Sequence, residues 1–185
     1  MSKEILERVM VDLETMGLRK NAAIVSIGAV KFTLEGHLGE RFYVNVSLES
    51  CRTFGLTEDE STVKFWQKLE NEAAFKMLQE NAKPLRYALT DLRIFMLHDN
   101  NPDNIEVWCN GAAFDLAILH SAFTAVNLPI PWNFYHEMCY RTMKNLYRAP
   151  KPEFVGTKHN ALDDAVFQAQ HLANIVAMIN AGNPC

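Results

Sequence analysis

Three strand-like segments lie near the start of the chain, the first of them a short apolar run with β-branched residues, and they constrain its fold more than any other feature. They cover residues 8–13, 21–32 and 40–46, and each is predicted to form a strand. The segment LEGHLG joins the second run to the third and carries two glycines, which is typical of a hairpin. The sequence therefore predicts a three-stranded antiparallel meander.

Helical and strand patterns alternate in the rest of the chain. TEDES before TVKFWQKLE is a typical helix start, helical spacing covers residues 73–81, and it resumes after Pro84 over residues 85–96. IEVWCN is predicted as a strand, AAFDLAILHSAFTAV as a helix, and residues 160–180 as a last long helix. A meander followed by helix–strand–helix units predicts an α/β fold, with a mixed β-sheet and helices on both faces. We expect one domain over residues 1–185.

Composition narrows the class of protein. Of the 185 residues, 49% are hydrophobic and 22% are charged, and the formal net charge is −4, which is ordinary for a globular protein. A protein that coats nucleic acid is normally basic, so this charge disfavours broad binding to a duplex. No apolar segment approaches a membrane span, so no membrane partner is expected. The four cysteines form no closely spaced pair, which predicts free thiols and a cytoplasmic location.

Five acidic and imidazole side chains stand at the edges of the apolar segments. Asp12 and Glu14 lie two apart on the first predicted strand, so both project from the same face. The others are Asp115 in WCNGAAFD, and His159 and Asp164 in HNALDDA. Unpaired carboxylates are costly beside apolar segments, so a cluster of them implies bound cations. Taken singly, each also fits an ordinary role at a solvated strand end, a helix dipole or a helix cap.

Two polar neighbours of these side chains have alternative roles. Asn110 stands where a strand turns into a helix, so it is a candidate helix N-cap and a candidate substrate contact. Asp163 is the rival of Asp164, but it points about 100° away around the helix. We therefore expect Asp163 to be solvated or paired.

Together, the order and spacing of these motifs resemble the DEDDh 3′–5′ exonucleases of the ribonuclease H-like superfamily. The similar segments are VDLETMG with IVSIGAV, WCNGAAFDLAIL, YRTM and HNALDDAVFQAQHL, within residues 8–180. STVKFWQKL is similar to a Thr-x-x-Trp-Trp helix found in one branch of these enzymes. That branch contains ribonuclease T, the bacterial exoribonuclease AS and phage exonuclease A. In this chain Phe65 stands where the branch has its first tryptophan. The family often has an aspartate where this chain has Cys139, which alters the local support of Arg141.

The resemblance implies a ribonuclease H-like fold and a two-metal hydrolysis of phosphodiester bonds at the 3′ end of single-stranded DNA or RNA. Two Mg²⁺ or Mn²⁺ ions are the implied cofactors, since oxygen ligands favour such hard cations. The implied ligands are Asp12, Glu14, Asp115 and Asp164. His159 is the candidate general base, because an unperturbed histidine has a pKa of about 6.5.

Substrate contacts are expected mainly on the loop that follows the first strand, which meets the terminal nucleotide in the resembled family. Met16 or Leu18 would wedge against the last base, or both are ordinary core residues. Phe65 and Trp66 would stack on bases, although aromatic residues at helical spacing are more often core. The candidate substrate-binding residues are Thr15, Met16, Gly17, Leu18, Asn110, Phe65, Trp66 and Arg141.

A basic segment precedes His159 and has two interpretations. Between residues 141 and 158 the only acidic residue is Glu153, and the segment either receives a phosphate backbone or is a solvated loop. Its cations are Arg141, Lys144, Arg148, Lys151 and Lys158.

Other questions stay open. DNA and RNA are not distinguished by the sequence, and two further functions are candidates: a catalytically silent nucleic-acid-binding module, and a phosphodiesterase of small nucleotides or oligoribonucleotides. The resembled branch is often dimeric, so a homodimer is a further candidate partner, with Trp66 or apolar faces of the central helices as its contact.

Overall fold

A five-stranded mixed sheet forms the centre of the structure, with strand order β3-β2-β1-β4-β5. The computed structural model describes residues 7–68, 75–76, 78–97 and 101–182. Strands β1, β2 and β3 are antiparallel neighbours, whereas β4 and β5 run parallel to β1. This confirms the predicted meander and the mixed sheet. The strands are β1 (Glu7–Thr15), β2 (Ile24–Phe32), β3 (Leu38–Asn45), β4 (Ile105–Cys109) and β5 (Glu137–Cys139).

Helices cover both faces of the sheet, as predicted. The described helices are α1 (Leu48–Thr53), α2 (Glu60–Trp66), α3 (Leu85–Leu97), α4 (Asp115–Ala125), α5 (Tyr140–Leu146) and α6 (Ala161–Asn180). Because side chains alternate along a strand, Val9 and Val11 of β1 pack in the core with α1–α4. Met10 faces the opposite way and packs with α5 and α6. No helix in the described ranges combines the length and apolar character needed to cross a membrane.

Some elements differ from the prediction. Strand β5 was not predicted, because it has only three half-buried residues and shows no alternation. Helix α1 was not predicted either. The hydroxyl of Ser47 caps it by accepting a hydrogen bond from the backbone N–H of Ser50 at 3.3 Å. The helix predicted over residues 73–81 lies partly outside the described residues.

Helix α6 lies very close to the sheet at Gly28 of β2. A Cβ on Gly28 would lie 2.2 Å from the backbone carbon of Ala161 and 2.2 Å from the backbone nitrogen of Leu162. Only glycine fits such a close approach of two backbones. Gly28 is also the register partner of Asp12 in β1. The first turn of α6, which carries Asp164, is therefore held close to Asp12.

Candidate active site

Three of the five predicted side chains meet at the C-terminal end of β1. Carboxylate oxygens of Asp12, Glu14 and Asp164 all lie within 4.8 Å of one another. Asp12 and Glu14 project from one face of β1, and Asp164 comes from the first turn of α6. Oxygens gathered this closely from two elements have the chemistry and spacing of a site for a hard divalent cation.

Asp115 adds a fourth carboxylate from a third element. It is the first residue of α4 and is only 3% exposed. Burial raises the pKa of Asp115 to about 7, while the nearby Arg141 guanidinium acts in the opposite direction. The negative charge of Asp115 in turn raises the pKa of both Asp12 and Glu14, so the four acids form one electrostatic group. We call these four residues the acid cluster.

The raised pKa values of the acid cluster show that its negative charge is unfavourable. Burial, followed by the charges of Asp164 and Asp115, raises the pKa of Glu14 to about 8. Burial and then the charge of Asp115 hold the pKa of Asp12 well above its usual range. Burial also raises the pKa of Asp164. The cluster therefore retains protons near neutral pH unless cations replace them.

Gln168 supports the acid cluster and was not singled out in the sequence. Its Nε2 donates a hydrogen bond of 2.7 Å to Oδ1 of Asp12, and the side chain is 5% exposed. Among the described residues, its buried Oε1 has no hydrogen-bond partner. Gln168 lies one helical turn after Asp164 and so on the same face of α6, which is the sequence signal that could have found it.

His159 stands beside the acid cluster, in the loop before α6. Its backbone has a φ of 62°, a left-handed conformation that is uncommon outside glycine. The imidazole makes edge contacts with Phe65 and Trp66, at centroid distances of 5.5 Å and 5.8 Å. Its charge opposes the rise in the pKa of Asp164, so it acts on the cluster as well. The structure therefore brings the predicted histidine and acids together.

Asp163 holds the loop that presents His159. Its Oδ2 accepts a hydrogen bond of 2.8 Å from the backbone N–H of Thr157, so the expected pairing is confirmed. Gly156 has a φ of 140°, and a Cβ there would lie 2.4 Å from Cγ of Asp163. Glycine at 156 is thus required both by the backbone conformation and by this close contact.

A groove of about 380 Å³ opens beside Glu14, and Leu18, Phe65 and Phe114 line it with apolar surface. Leu18 is 73% exposed, and its backbone N–H is fixed by Oδ2 of Asp59 at 2.9 Å. The hydroxyl of Thr15 donates to the carbonyl of Gly17 at 2.8 Å, which closes the loop on itself. This groove is therefore a candidate site for a terminal nucleotide, next to the acids.

Two predicted substrate contacts belong instead to the core. Met16 is 3% exposed and Trp66 is 2% exposed. The indole N–H of Trp66 also donates to the carbonyl of Thr15 at 3.2 Å. Stacking of a base on Trp66 was therefore a wrong prediction, and so was a dimer contact through it. The half-buried Phe65 and the exposed Leu18 keep accessible apolar surface.

The prediction of Asn110 as a helix cap is also wrong. Residues 111–114 form a turn, and the N-cap of α4 is Phe114. The side-chain oxygen of Asn110 instead accepts from Nζ of Lys144 at 2.9 Å, and its carbonyl accepts from Arg141 at 2.7 Å. Asn110 therefore joins the end of β4 to α5. Cys139 stands where the resembled family often has an aspartate, and in this chain the backbone carbonyl of Asn110 supports Arg141.

Comparison with known proteins gives a family and a fold. The sequence profile described as "3'-5' exoribonuclease Rv2179c-like domain" matches residues 7–176. No curated protein sequence matches the chain. The solved nuclease domain of 3'hExo, described as a DEDDh family member bound to rAMP, is similar with a TM-score of 0.63 and 13% identity over 100% of this chain and 96% of that one.

Two other nuclease structures share the fold with partial coverage. Exonuclease I of E. coli, in complex with a 5cy-dT13 oligonucleotide, has a TM-score of 0.65 at 13% identity, over 96% of this chain and 42% of that one. Cell-death related nuclease 4 has a TM-score of 0.59 at 14% identity, over 97% and 65%. The family model confirms the resemblance to 3′–5′ exonucleases. The solved structures confirm the predicted fold, which this chain shares with a nuclease described as a DEDDh family member.

Proposed function

The chain belongs to the Rv2179c-like 3′–5′ exoribonuclease domain family, and from that premise we propose that it trims single-stranded RNA from the 3′ end with divalent ions held by the acid cluster. The observation that carries this proposal is the meeting of Asp12, Glu14 and Asp164 within 4.8 Å. An apolar groove lies directly beside Glu14, so the site offers a place for a base next to a place for a phosphate.

The residues present fit divalent metal ions. All four members of the acid cluster offer carboxylate oxygens, which suit Mg²⁺ or Mn²⁺ better than zinc. Burial, and then the charges of Asp164 and Asp115, raise the pKa of Glu14 to about 8, and a bound cation would offset this unfavourable negative charge. Asp12, Glu14, Asp115 and Asp164 would hold two ions. When bound, such ions supply positive charge for the scissile phosphate and acidify a water molecule.

Binding of the terminal nucleotide and transfer of the proton from water are assigned to side chains of this chain. Leu18 and Phe65 pack against the terminal base in the groove, and Met16 holds that loop to the core. His159 accepts a proton from the attacking water as its oxygen bonds to phosphorus. The bond from phosphorus to the 3′ oxygen of the preceding nucleotide breaks. This oxygen takes up a proton from a water molecule and becomes a hydroxyl, and His159 returns its proton to solvent. The products are a nucleoside 5′-monophosphate and a strand shorter by one residue.

The test compares matched RNA and DNA strands labelled at either end, with Mg²⁺, Mn²⁺ or EDTA. We expect a 5′-labelled RNA to shorten stepwise, a 3′-labelled RNA to release labelled mononucleotide first, and RNA to be trimmed faster than DNA. EDTA should stop both reactions. Cleavage restricted to dinucleotides would favour a small-nucleotide phosphodiesterase, and trimming that persists in EDTA would contradict the proposal.

Substitution of one ligand tests the assignment of the acid cluster. Asp115→Asn is nearly isosteric and should reduce trimming by about a hundredfold or more, because a ligand charge is lost. Asp103→Asn, at an exposed carboxylate of the short helical turn before β4, is the matched control and should trim at the wild-type rate.

A further inference from the structure

A basic surface adjoins the acid cluster along α5 and the loop that leads to α6. We call it the basic strip. Five cations stand in residues 141–158 against Glu153 alone, in a chain whose formal net charge is −4. The strip comprises Arg141, Lys144, Arg148, Lys151 and Lys158.

The basic strip carries positive charge that the described acids do not hold in ion pairs, although Arg141 lies near enough to Asp115 to act on its pKa. Across the described ranges, none of the five lies in an ion pair, whereas Arg8, Lys31 and Arg52 each pair with a glutamate. Four of the five are exposed, and Lys144 is half-buried. Their charges are therefore available to an anion from outside the chain.

One end of the basic strip is fixed to the strand end that leads to Asp115. Arg141 donates to the carbonyl of Asn110 at 2.7 Å, and its guanidinium acts on the pKa of Asp115. Lys144 donates to the side chain of Asn110 at 2.9 Å. At its other end, Lys158 directly precedes His159. An anion bound along the strip would thus reach the acid cluster.

Three of the cations lie close enough to act on one another. The pKa of Lys144 is lowered by its burial, and then by the charges of Arg141 and Lys151. Exposed apolar side chains stand in the same segment, with Leu146 57% exposed and Val155 78% exposed. Unpaired bases carry apolar faces beside a chain of phosphates, so a single strand of nucleic acid matches both features.

We propose that the basic strip binds the phosphates of the substrate strand on the 5′ side of the scissile bond, which makes strands of several nucleotides better substrates than dinucleotides. This inference rests on the proposed function. It places the 3′-terminal nucleotide in the groove beside Glu14 and the upstream backbone along α5. The strip contributes to affinity for the strand, whereas bond cleavage takes place at the acid cluster.

The experiment compares kcat/KM for an RNA 12-mer with kcat/KM for a dinucleotide in the presence of Mn²⁺. The test variant is Arg148→Gln with Lys151→Gln. The matched control is Arg52→Gln with Lys83→Gln, which removes the same charge from exposed ion pairs elsewhere. We expect the 12-mer to dinucleotide ratio to fall about tenfold in the test variant and to stay at the wild-type value in the control.

Salt dependence gives a second measure of the same contacts. Each phosphate contact to a single strand contributes about 0.7 to the slope of log affinity against log salt, so loss of two should lower the slope for the 12-mer by about 1.4. Equal ratios in the test and control variants would overturn the inference while leaving the exonuclease intact. A wild-type protein that trims no strand with either metal ion would instead overturn the proposed function.

Discussion

The acid cluster and the basic strip both concentrate like charges, but the protein treats the two regions differently. The acids are partly or fully buried, and residues of β1, α4 and α6 hold them in place. The cations of the strip are mostly exposed on α5 and a loop. Buried like charges interact strongly and must be neutralised, whereas exposed ones are screened by solvent and salt. The cluster should therefore govern the chemical step, and the strip should adjust affinity.

The largest expected effect comes from Asp164→Asn. Loss of this carboxylate should lower kcat by about a hundredfold or more, because one ion ligand is removed. The same change should raise the Tm of the metal-free protein at pH 8, since it relieves repulsion with Glu14. Trimming assays and thermal melts in EDTA measure the two effects. A variant that is both active and no more stable would show that the acids do not act as one cluster.

The pH dependence of stability follows from the raised pKa values. In the folded chain the pKa of Glu14 is about 8 and that of Asp115 about 7, above their ordinary values of 4.5 and 3.8. The unfolded chain releases these protons at lower pH, so the stabilising contribution is complete below about pH 4 and is lost as pH rises towards 8.

We therefore expect the Tm in EDTA to fall between pH 5 and pH 8, with each unit of pKa shift worth about 1.4 kcal/mol. MgCl₂ or MnCl₂ should raise the Tm at pH 8 more than at pH 5, and NaCl of equal ionic strength should not. A Tm in EDTA that stays level over this range would argue against a strained acid cluster.

A smaller effect is expected at Gln168, which touches Asp12 rather than the ions. Gln168→Leu removes the hydrogen bond to Oδ1 of Asp12, and the affinity for Mn²⁺ should fall about tenfold. Stability should change little, because the substitution also removes the buried, unpartnered Oε1. Calorimetric titration with Mn²⁺ measures the affinity. An unchanged Kd would mean that Asp12 is oriented without this amide.

The smallest effect is expected for a single cation of the basic strip. Arg148→Gln should raise the KM for an RNA 12-mer about threefold at low salt, because one exposed phosphate contact is lost. The difference should disappear near about 0.5 M NaCl, where exposed charges are screened. An effect that persisted at high salt would assign Arg148 a packing role.

Much of the fold could be predicted from the sequence because its signals are local. The meander, the strand at IEVWC and the helix that carries Asp164 each follow from apolar periodicity and turn residues. Strand β5 could not be predicted, because three half-buried residues have too little pattern. The need for glycine at position 28 arises from a helix more than a hundred residues away in sequence.

The candidate site was also predicted in part from the sequence. The combined motifs and the family resemblance that they carry predicted that Asp12, Glu14, Asp115, His159 and Asp164 share one site. The sequence could not separate the roles of Phe65 and Trp66, because the fold decides how deeply each of two adjacent aromatic side chains is buried. Both residues line the groove, but Trp66 is 2% exposed and Phe65 is only half-buried. Asn110 was misassigned because its partners on α5 are distant in the chain.

The central claim is that the acid cluster is a site for divalent ions. Anomalous diffraction from a crystal soaked in Mn²⁺ tests it most directly, because the peaks locate the ions independently of activity. The account predicts anomalous peaks bounded by the carboxylates of Asp12, Glu14, Asp115 and Asp164, and no peak at Asp103. Well-ordered carboxylates with no anomalous density between them at saturating Mn²⁺ would contradict it.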